Sequence, residues 1–172
     1  MVCMLTMCNL QMNGNRKMSG NEEKPRMLII HGPNLNMLGQ REANWYGCAT
    51  LEEIDTQIKG TAQDCGMVAE TFQSNYEGAL VEKIHEAIKD YDAVIINPAA
   101  YTHTSVAIRD ALLMLDVPII EVHLSNIYRR EPFRHKSLIA DIVTARIAGF
   151  GKDGYMMAVE AAADMLKRKG QH

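Results

Sequence analysis

Side chains able to move protons or hold an anion are concentrated in a few polar stretches of this 172-residue chain. Residues 31–47 combine Asn34, Arg41 and Tyr46 with glycine, proline and asparagine turn residues. Residues 97–105 carry Asn97 and His103 and close on Thr104 and Ser105. Residues 121–134 begin with Glu121 and His123, continue through Ser125 and Asn126, and hold Arg129, Arg130 and Arg134. Each has an ordinary reading when taken singly. Gly, Pro and Asn keep surface loops in shape, Thr and Ser cap helices, and a lone Glu or His at a strand end is more often structural than catalytic. Together they describe a small-anion site. His103 stands just ahead of a helix start, where free backbone N–H groups favour an anionic or polyhydroxyl ligand, and the arginines follow a histidine that closes an apolar run.

That reading requires a fold that brings the stretches to one place. From residue 27 onward, short β-rich runs alternate with helical periods. Residues 27–31 form the first apolar run. Thr50 and Glu53 then have capping-box spacing, and Leu51, Ile54, Ile58, Ala62 and Cys65 recur at helical intervals up to a stop at Gly66. Residues 67–73 read as a strand, and Ser74 with Glu77 repeats the capping-box spacing ahead of Leu80, Ile84, Ala87 and Ile88. Residues 93–96 lack polar alternation, as a strand covered on both faces does. A helix starts at Thr104 or Ser105 and runs to about Leu115, and residues 117–122 form another buried strand with Pro118 near its start. Residues 142–148 fit either a strand or the continuation of a helix from Leu138. The strand is preferred, because Gly149, Gly151 and Gly154 follow and a last helix over 155–167 needs a partner strand.

This alternation implies a doubly wound α/β domain over 27–172, with a five-stranded parallel sheet in the flavodoxin-like order 2-1-3-4-5 and helices on both faces. Ligands in such sheets sit outside the carboxyl ends of strands 1, 3 and 4. Those are the points at which this chain leaves core residues for the three polar stretches. The first link is longer than the usual 2–6 residues, and long links at strand ends often act as lids.

A formal net charge of −3 argues against a nucleic-acid partner. No apolar run reaches the roughly 20 residues that span a bilayer. Cys3, Cys8, Cys48 and Cys65 follow neither a zinc nor a disulfide spacing, so free thiols in a reducing, cytoplasmic setting are expected. Residues 1–26 are rich in Met, Asn, Gly and Lys without a sustained period, and read as a leader, an upstream start or an expression remnant. His103 and His123 come from neighbouring strands with Glu121 close by, yet no His-x-x-x-His or Asp-rich pattern accompanies them, so no metal is expected. A dinucleotide fingerprint after the first strand and a P-loop lysine are both missing.

The motifs resemble one family, type II 3-dehydroquinate dehydratase. The matching residues are Gly32, Pro33, Asn34 and Leu35 with Leu38, Gly39, Arg41, Glu42, Tyr46 and Gly47. Asn97 and the run from Thr102 to Asp110 follow, then Glu121, Val122, His123, Ser125, Asn126 and Arg134, and finally Gly149, Gly151, Gly154 and Tyr155. The resemblance implies a cofactor-free elimination of water from 3-dehydroquinate to 3-dehydroshikimate through an enolate. Tyr46 would be the base and His123 the acid, with Arg41 supporting the phenolate and the transition state. Asn34 would act at the enolate oxygen. Asn97 and His103 would hold hydroxyls, and Leu124 and Ser125 would grip the carboxylate. Arg134 would contact the substrate and Glu121 would orient His123 or His103 from behind. Asp110 would reach a neighbouring subunit's site, in a homo-oligomer of trimers assembled into a dodecamer. Trp45 and Gln40 depart from the common lid pattern without removing a catalytic group. The competing reading is a flavodoxin-like small-anion or phosphate-binding protein without dehydratase activity. Biosynthesis and quinate breakdown both use this reaction.

Overall fold

The computed structural model describes residues 23–40 and 49–170. Its strands are β1 (Arg26–His31), β2 (Val68–Gln73), β3 (Ala93–Asn97), β4 (Ile119–His123) and β5 (Ala145–Ala148). Four α-helices follow β1, β2, β3 and β5: α1 (Leu51–Asp64), α2 (Glu77–Asp90), α3 (Val106–Leu112) and α4 (Asp153–Lys169), while 3-10 turns link β4 to β5. The strands form one parallel sheet in the order β2-β1-β3-β4-β5, as the sequence predicts.

Alternation along the strands divides the core into two layers. Met27, Ile29, Ala93, Ile95, Ile120 and Val122 pack with Ile54 and Ile58 of α1 and with Tyr155 and Val159 of α4. Leu28, Ile30, Val94 and Ile96 face the other way, onto Leu80 and Ile84 of α2 and Ile108 and Leu112 of α3. Every residue of β3 is buried, so its polar last residue, Asn97, needs partners within the protein. Full burial of each Leu or Ile contributes about 1.5–3 kcal/mol. The strand ends that carry polar groups are therefore anchored by apolar residues immediately before them.

The helix starts show where local signals decide and where they yield. Thr50 Oγ1 accepts from the Glu53 N–H at 3.2 Å, and Glu53 returns the bond to the Thr50 N–H at 3.0 Å, which is the predicted capping box. At α2 the matching prediction is wrong. The Ser74 N–H still bonds His31 O at 3.1 Å, so Ser74 remains attached to the strand ladder. Its hydroxyl accepts from the Tyr76 N–H in a local turn, and Tyr76 becomes the N-cap without a side-chain bond. Ser105 is the true cap of α3, accepting from the Ile108 N–H at 2.9 Å. Beyond Leu112 the chain tightens to i→i−3 bonds, Met114 to Ala111 and Leu115 to Leu112, ending the regular helix earlier than the apolar spacing suggests. Arg26, assigned to the leader by composition, is the first residue of β1 and bonds Asp92 and Glu70. Residues 1–22 of that leader lie outside the described residues.

Gly32 joins two of the polar strand ends. Its N–H donates to Asn97 O at 2.8 Å, and a Cβ placed on it would lie 2.4 Å from Pro98 O and 2.5 Å from Pro98 C. Both obstacles are backbone, so no rotamer change relieves the clash. Gly32→Ala is expected to destabilise the fold by about 3 kcal/mol or more, read as a lower urea midpoint at fixed protein concentration.

Candidate active site

The carboxyl ends of β1, β3 and β4 surround a cleft of about 260 Å3. Its lining includes Asn34, Asn97, His103, His123, Leu124, Ser125 and Arg134 from the sequence-predicted set. Glu121 lies directly behind it, fully buried. Asp110 is exposed on α3 and does not line the cleft. Arg41 and Tyr46 lie outside the described residues.

Asn34 follows β1 in the left-handed conformation (φ 66°), a region that asparagine tolerates better than most residues. Its N–H donates to Asn75 Oδ1 at 2.8 Å, and Tyr101 Oη holds Asn75 by donating to its carbonyl at 3.0 Å. The Asn34 backbone is thus fixed at the cleft mouth while its side chain stays exposed.

Asn97 ends β3 with 3% of its surface exposed. Its Oδ1 accepts from the Ala99 N–H at 3.1 Å, at the start of a 3-10 turn over Ala99–His103. His103 closes that turn. Its Nδ1 donates to Lys136 O at 2.7 Å, because a carbonyl can only accept. Burial, foremost, and the positive charges of His123 and Arg134 hold the His103 pKa below its ordinary value, against the opposing pull of Lys136 O and Glu121. The ring is therefore neutral at neutral pH and carries its proton on Nδ1. Nε2 is left as an acceptor for a ligand hydroxyl.

Glu121 and His123 are two residues apart on β4, so they share a face of the sheet. Glu121 Oε1 lies 2.7 Å from His123 Nε2 and also accepts from Ser137 Oγ at 2.8 Å. The carboxylate thus assigns the Nε2 proton and leaves Nδ1 for the cleft. Of the two histidines that Glu121 was expected to orient, it bonds His123, whereas His103 is held by Lys136 O. Burial is the largest influence on the Glu121 carboxyl and pushes it up. The hydrogen bond and charge of His123, the Ser137 hydroxyl and Arg146 together outweigh burial and leave it below the ordinary value of 4.5. A carboxyl lowered on folding stabilises the protein above its unfolded pKa and loses that contribution as pH falls through the folded one. Urea midpoints should therefore fall as the medium is acidified below pH 4.5, and Glu121→Gln should lack its part of that acid dependence.

Past β4, the backbone turns at Leu124 and Ser125 and forms two further 3-10 turns, Ile127–Arg129 and Pro132–Arg134. The resemblance pointed only to Arg134 here, but Arg130 and Glu131 also line the cleft. Glu131 Oε2 lies 2.9 Å from Arg134 Nε and 3.5 Å from Arg130 Nε. One carboxylate thus gathers two guanidinium groups on the rim. The spacing of Arg130 and Arg134 around Glu131 was the available signal, hidden because the segment looked like a solvated loop.

A buried network beneath the cleft was also missed. His31 is fully buried, with Nδ1 2.8 Å from Tyr155 Oη and Nε2 3.0 Å from Asp55 Oδ1. The Asp55 carboxylate accepts from Nε2–H, so the Tyr155 hydroxyl donates to Nδ1. Burial, foremost, raises the Tyr155 pKa, and a hydrogen bond from Asn97 opposes it. Tyr155 therefore remains a neutral phenol beneath Asn97. His31 and Asn97 are direct register partners on β1 and β3, which puts their side chains on the same face.

The site thus offers a histidine backed by a carboxylate, a neutral histidine acceptor, a buried amide and a cationic rim. Among the described residues, no three His, Cys, Asp or Glu side chains converge as metal ligands would, and no helix is long and apolar enough to cross a membrane.

Residues 25–163 match the family model described as dehydroquinase class II. The 3-dehydroquinate dehydratase of Laribacter hongkongensis is 52% identical over 145 residues, covering 84% of this chain and 94% of the relative. The catabolic 3-dehydroquinase of Emericella nidulans is 54% identical, with 80% and 90% covered. The crystal structure of type II dehydroquinase from Propionibacterium acnes superposes with a TM-score of 0.80 at 40% identity, covering 82% of this chain and 97% of that one.

Proposed function

We propose the reaction from one premise: this chain belongs to the class II dehydroquinase family. It eliminates water from 3-dehydroquinate to give 3-dehydroshikimate, as a hydro-lyase. The observation that carries the assignment is the Glu121–His123 pair at the cleft, 2.7 Å apart, with a protonatable nitrogen left for the ligand.

Tyr46, as phenolate, takes a proton from the carbon beside the ketone, and the electron pair moves into an enolate. The enolate then collapses to the carbon–carbon double bond as the neighbouring hydroxyl leaves, and His123 gives that hydroxyl its proton so that it departs as water. Asn34, at the mouth of the cleft, places a donor or an ordered water at the enolate oxygen, where loss of one donor typically costs about 3 kcal/mol. His103 Nε2 and the Asn97 amide hold ring hydroxyls. The Leu124 and Ser125 backbone amides and the Ser125 hydroxyl receive the carboxylate, and Arg134 supplies positive potential on the rim. Arg41 supports the phenolate of Tyr46. Residues 26–172 act as one catalytic domain in the cytoplasm, without a metal or an organic cofactor. The exposed Asp110 reaches the site of a neighbouring subunit in trimers that assemble into a dodecamer, which light scattering coupled to gel filtration would measure directly.

The test is appearance of the conjugated enone by ultraviolet absorbance on adding 3-dehydroquinate, with and without borohydride and a chelator. Turnover that survives both reagents is the expected result. No turnover would refute the assignment, inactivation by borohydride would show an imine intermediate, and inhibition by chelator would show a required metal. Binding of inorganic phosphate without turnover would favour the small-anion protein.

A further inference from the structure

A guanidinium stands behind the candidate acid on the strand beyond it. Glu121 and Arg146 are direct register partners on β4 and β5, and Arg146 Nε lies 2.6 Å from Glu121 Oε2. The N–H is not aligned for a directed hydrogen bond, so the contact acts through charge. Glu121 is fully buried whereas the Arg146 side chain keeps 26% exposure. The two carboxylate oxygens are thus divided: Oε1 serves His123 and Ser137, and Oε2 faces Arg146.

A buried pair without a counter-charge would be neutral only while it holds its proton, as imidazolium with carboxylate. Releasing that proton would leave an unbalanced anion in a site that disfavours net charge. With Arg146 present the balance reverses, because carboxylate, guanidinium and neutral imidazole sum to zero. We propose that Arg146 is a positioning residue whose charge balances the Glu121 carboxylate once His123 has lost its proton, so that the proton is released to the departing hydroxyl instead of being retained by the pair. The inference rests on the dehydratase reading for its catalytic meaning, but the electrostatic claim stands apart from it.

The other charged groups near His123 are placed differently. His103, from the turn after β3, is neutral, and Arg134 is bound to Glu131 on the rim. Arg130 lies beside the same Glu131. On this face of the sheet β3 offers only Val94 and Ile96; from the 135–138 segment the Ser137 hydroxyl reaches Glu121, His135 Nε2 lies 2.9 Å from Arg130 O, and Lys136 offers its carbonyl to His103.

The test compares Arg146→Gln, which keeps a donor and loses the charge, with Arg146→Lys, which keeps the charge. In Arg146→Gln the alkaline limb of the kcat/KM profile should move up by about one pH unit, and kcat should fall severalfold because the proton is held more tightly. Arg146→Lys should restore both. A second measurement follows the His123 ring by NMR in protein labelled at histidine, assigned with His123→Gln and recorded without substrate. The same upward movement in Arg146→Gln is expected there, whether or not the enzyme turns over 3-dehydroquinate. An unmoved titration in Arg146→Gln, or an equal shift in Arg146→Lys, would overturn the proposal. Absence of turnover in the parent protein would count against the dehydratase reading alone, leaving the NMR result to decide the role of Arg146.

Discussion

His123→Ala is expected to lower kcat for 3-dehydroquinate by about 10^3-fold, within the range that a positioned general acid contributes. Without an acid, the hydroxyl must leave as hydroxide. The effect should fall on kcat more than on KM, because the ring makes its decisive contact as the carbon–oxygen bond breaks. The folded state should change little, since His123 lies at the end of β4 and the apolar anchors Ile120 and Val122 precede it. Removing the ring does leave Glu121 facing Arg146 and Ser137 alone. His123→Gln, which can still donate to Glu121 Oε1, should therefore be the more stable of the two variants and equally inactive. Steady-state kinetics with urea unfolding separates these effects, and a rate near that of the parent protein would remove His123 from the mechanism.

Tyr46→Phe should be at least as damaging, with kcat lowered by about 10^3- to 10^4-fold. A free phenol titrates near 10, so a phenolate base at neutral pH requires roughly 4 kcal/mol of preferential stabilisation. Phenylalanine keeps the ring and removes the atom that takes the proton, so substrate binding should be largely preserved. A primary isotope effect on substrate deuterated beside the ketone identifies the step. Proton removal should become fully rate-limiting in Tyr46→Phe, and an activity loss confined to KM would refute the basic role. Arg41→Lys offers a graded companion, keeping the charge that supports the phenolate and losing the guanidinium geometry.

Fold and site were legible in the sequence to different depths. Strand order followed from the alternation of apolar runs with helical periods, because a parallel sheet buried on both faces leaves continuous Val and Ile segments such as Val94–Ile95–Ile96. The cap at Thr50 was readable because its reciprocal bonds are local. Ser74 misled because its backbone is claimed by β1, a partner more than 40 residues away in sequence. Of the cleft histidines, His123 stood out as a polar residue closing an apolar strand, and His103 by its place just ahead of a helix start. His31 did not, being taken as part of the first loop. Its partners Asp55 and Tyr155 come from α1 and α4, and only the folded layers bring them within 3.0 Å. Arg146 was equally hidden, since its meaning depends on register with Glu121 across two strands.

The contact at Gly32 has a mechanical consequence. The backbones leaving β1 and β3 touch there without room for a methyl group, and the bond from Gly32 N–H to Asn97 O ties them further. Two walls of the cleft are therefore one rigid casting, and neither can swing away from the other to admit a bulkier ligand. Among the described residues, accommodation falls to the opposite rim, where Arg130 and Glu131 link two short 3-10 turns and Arg134 ends the second. Inhibitors that grow toward Gly32 and Pro98 will meet backbone with no room for a methyl group, whereas those extended toward Glu131 will meet exposed, charged side chains.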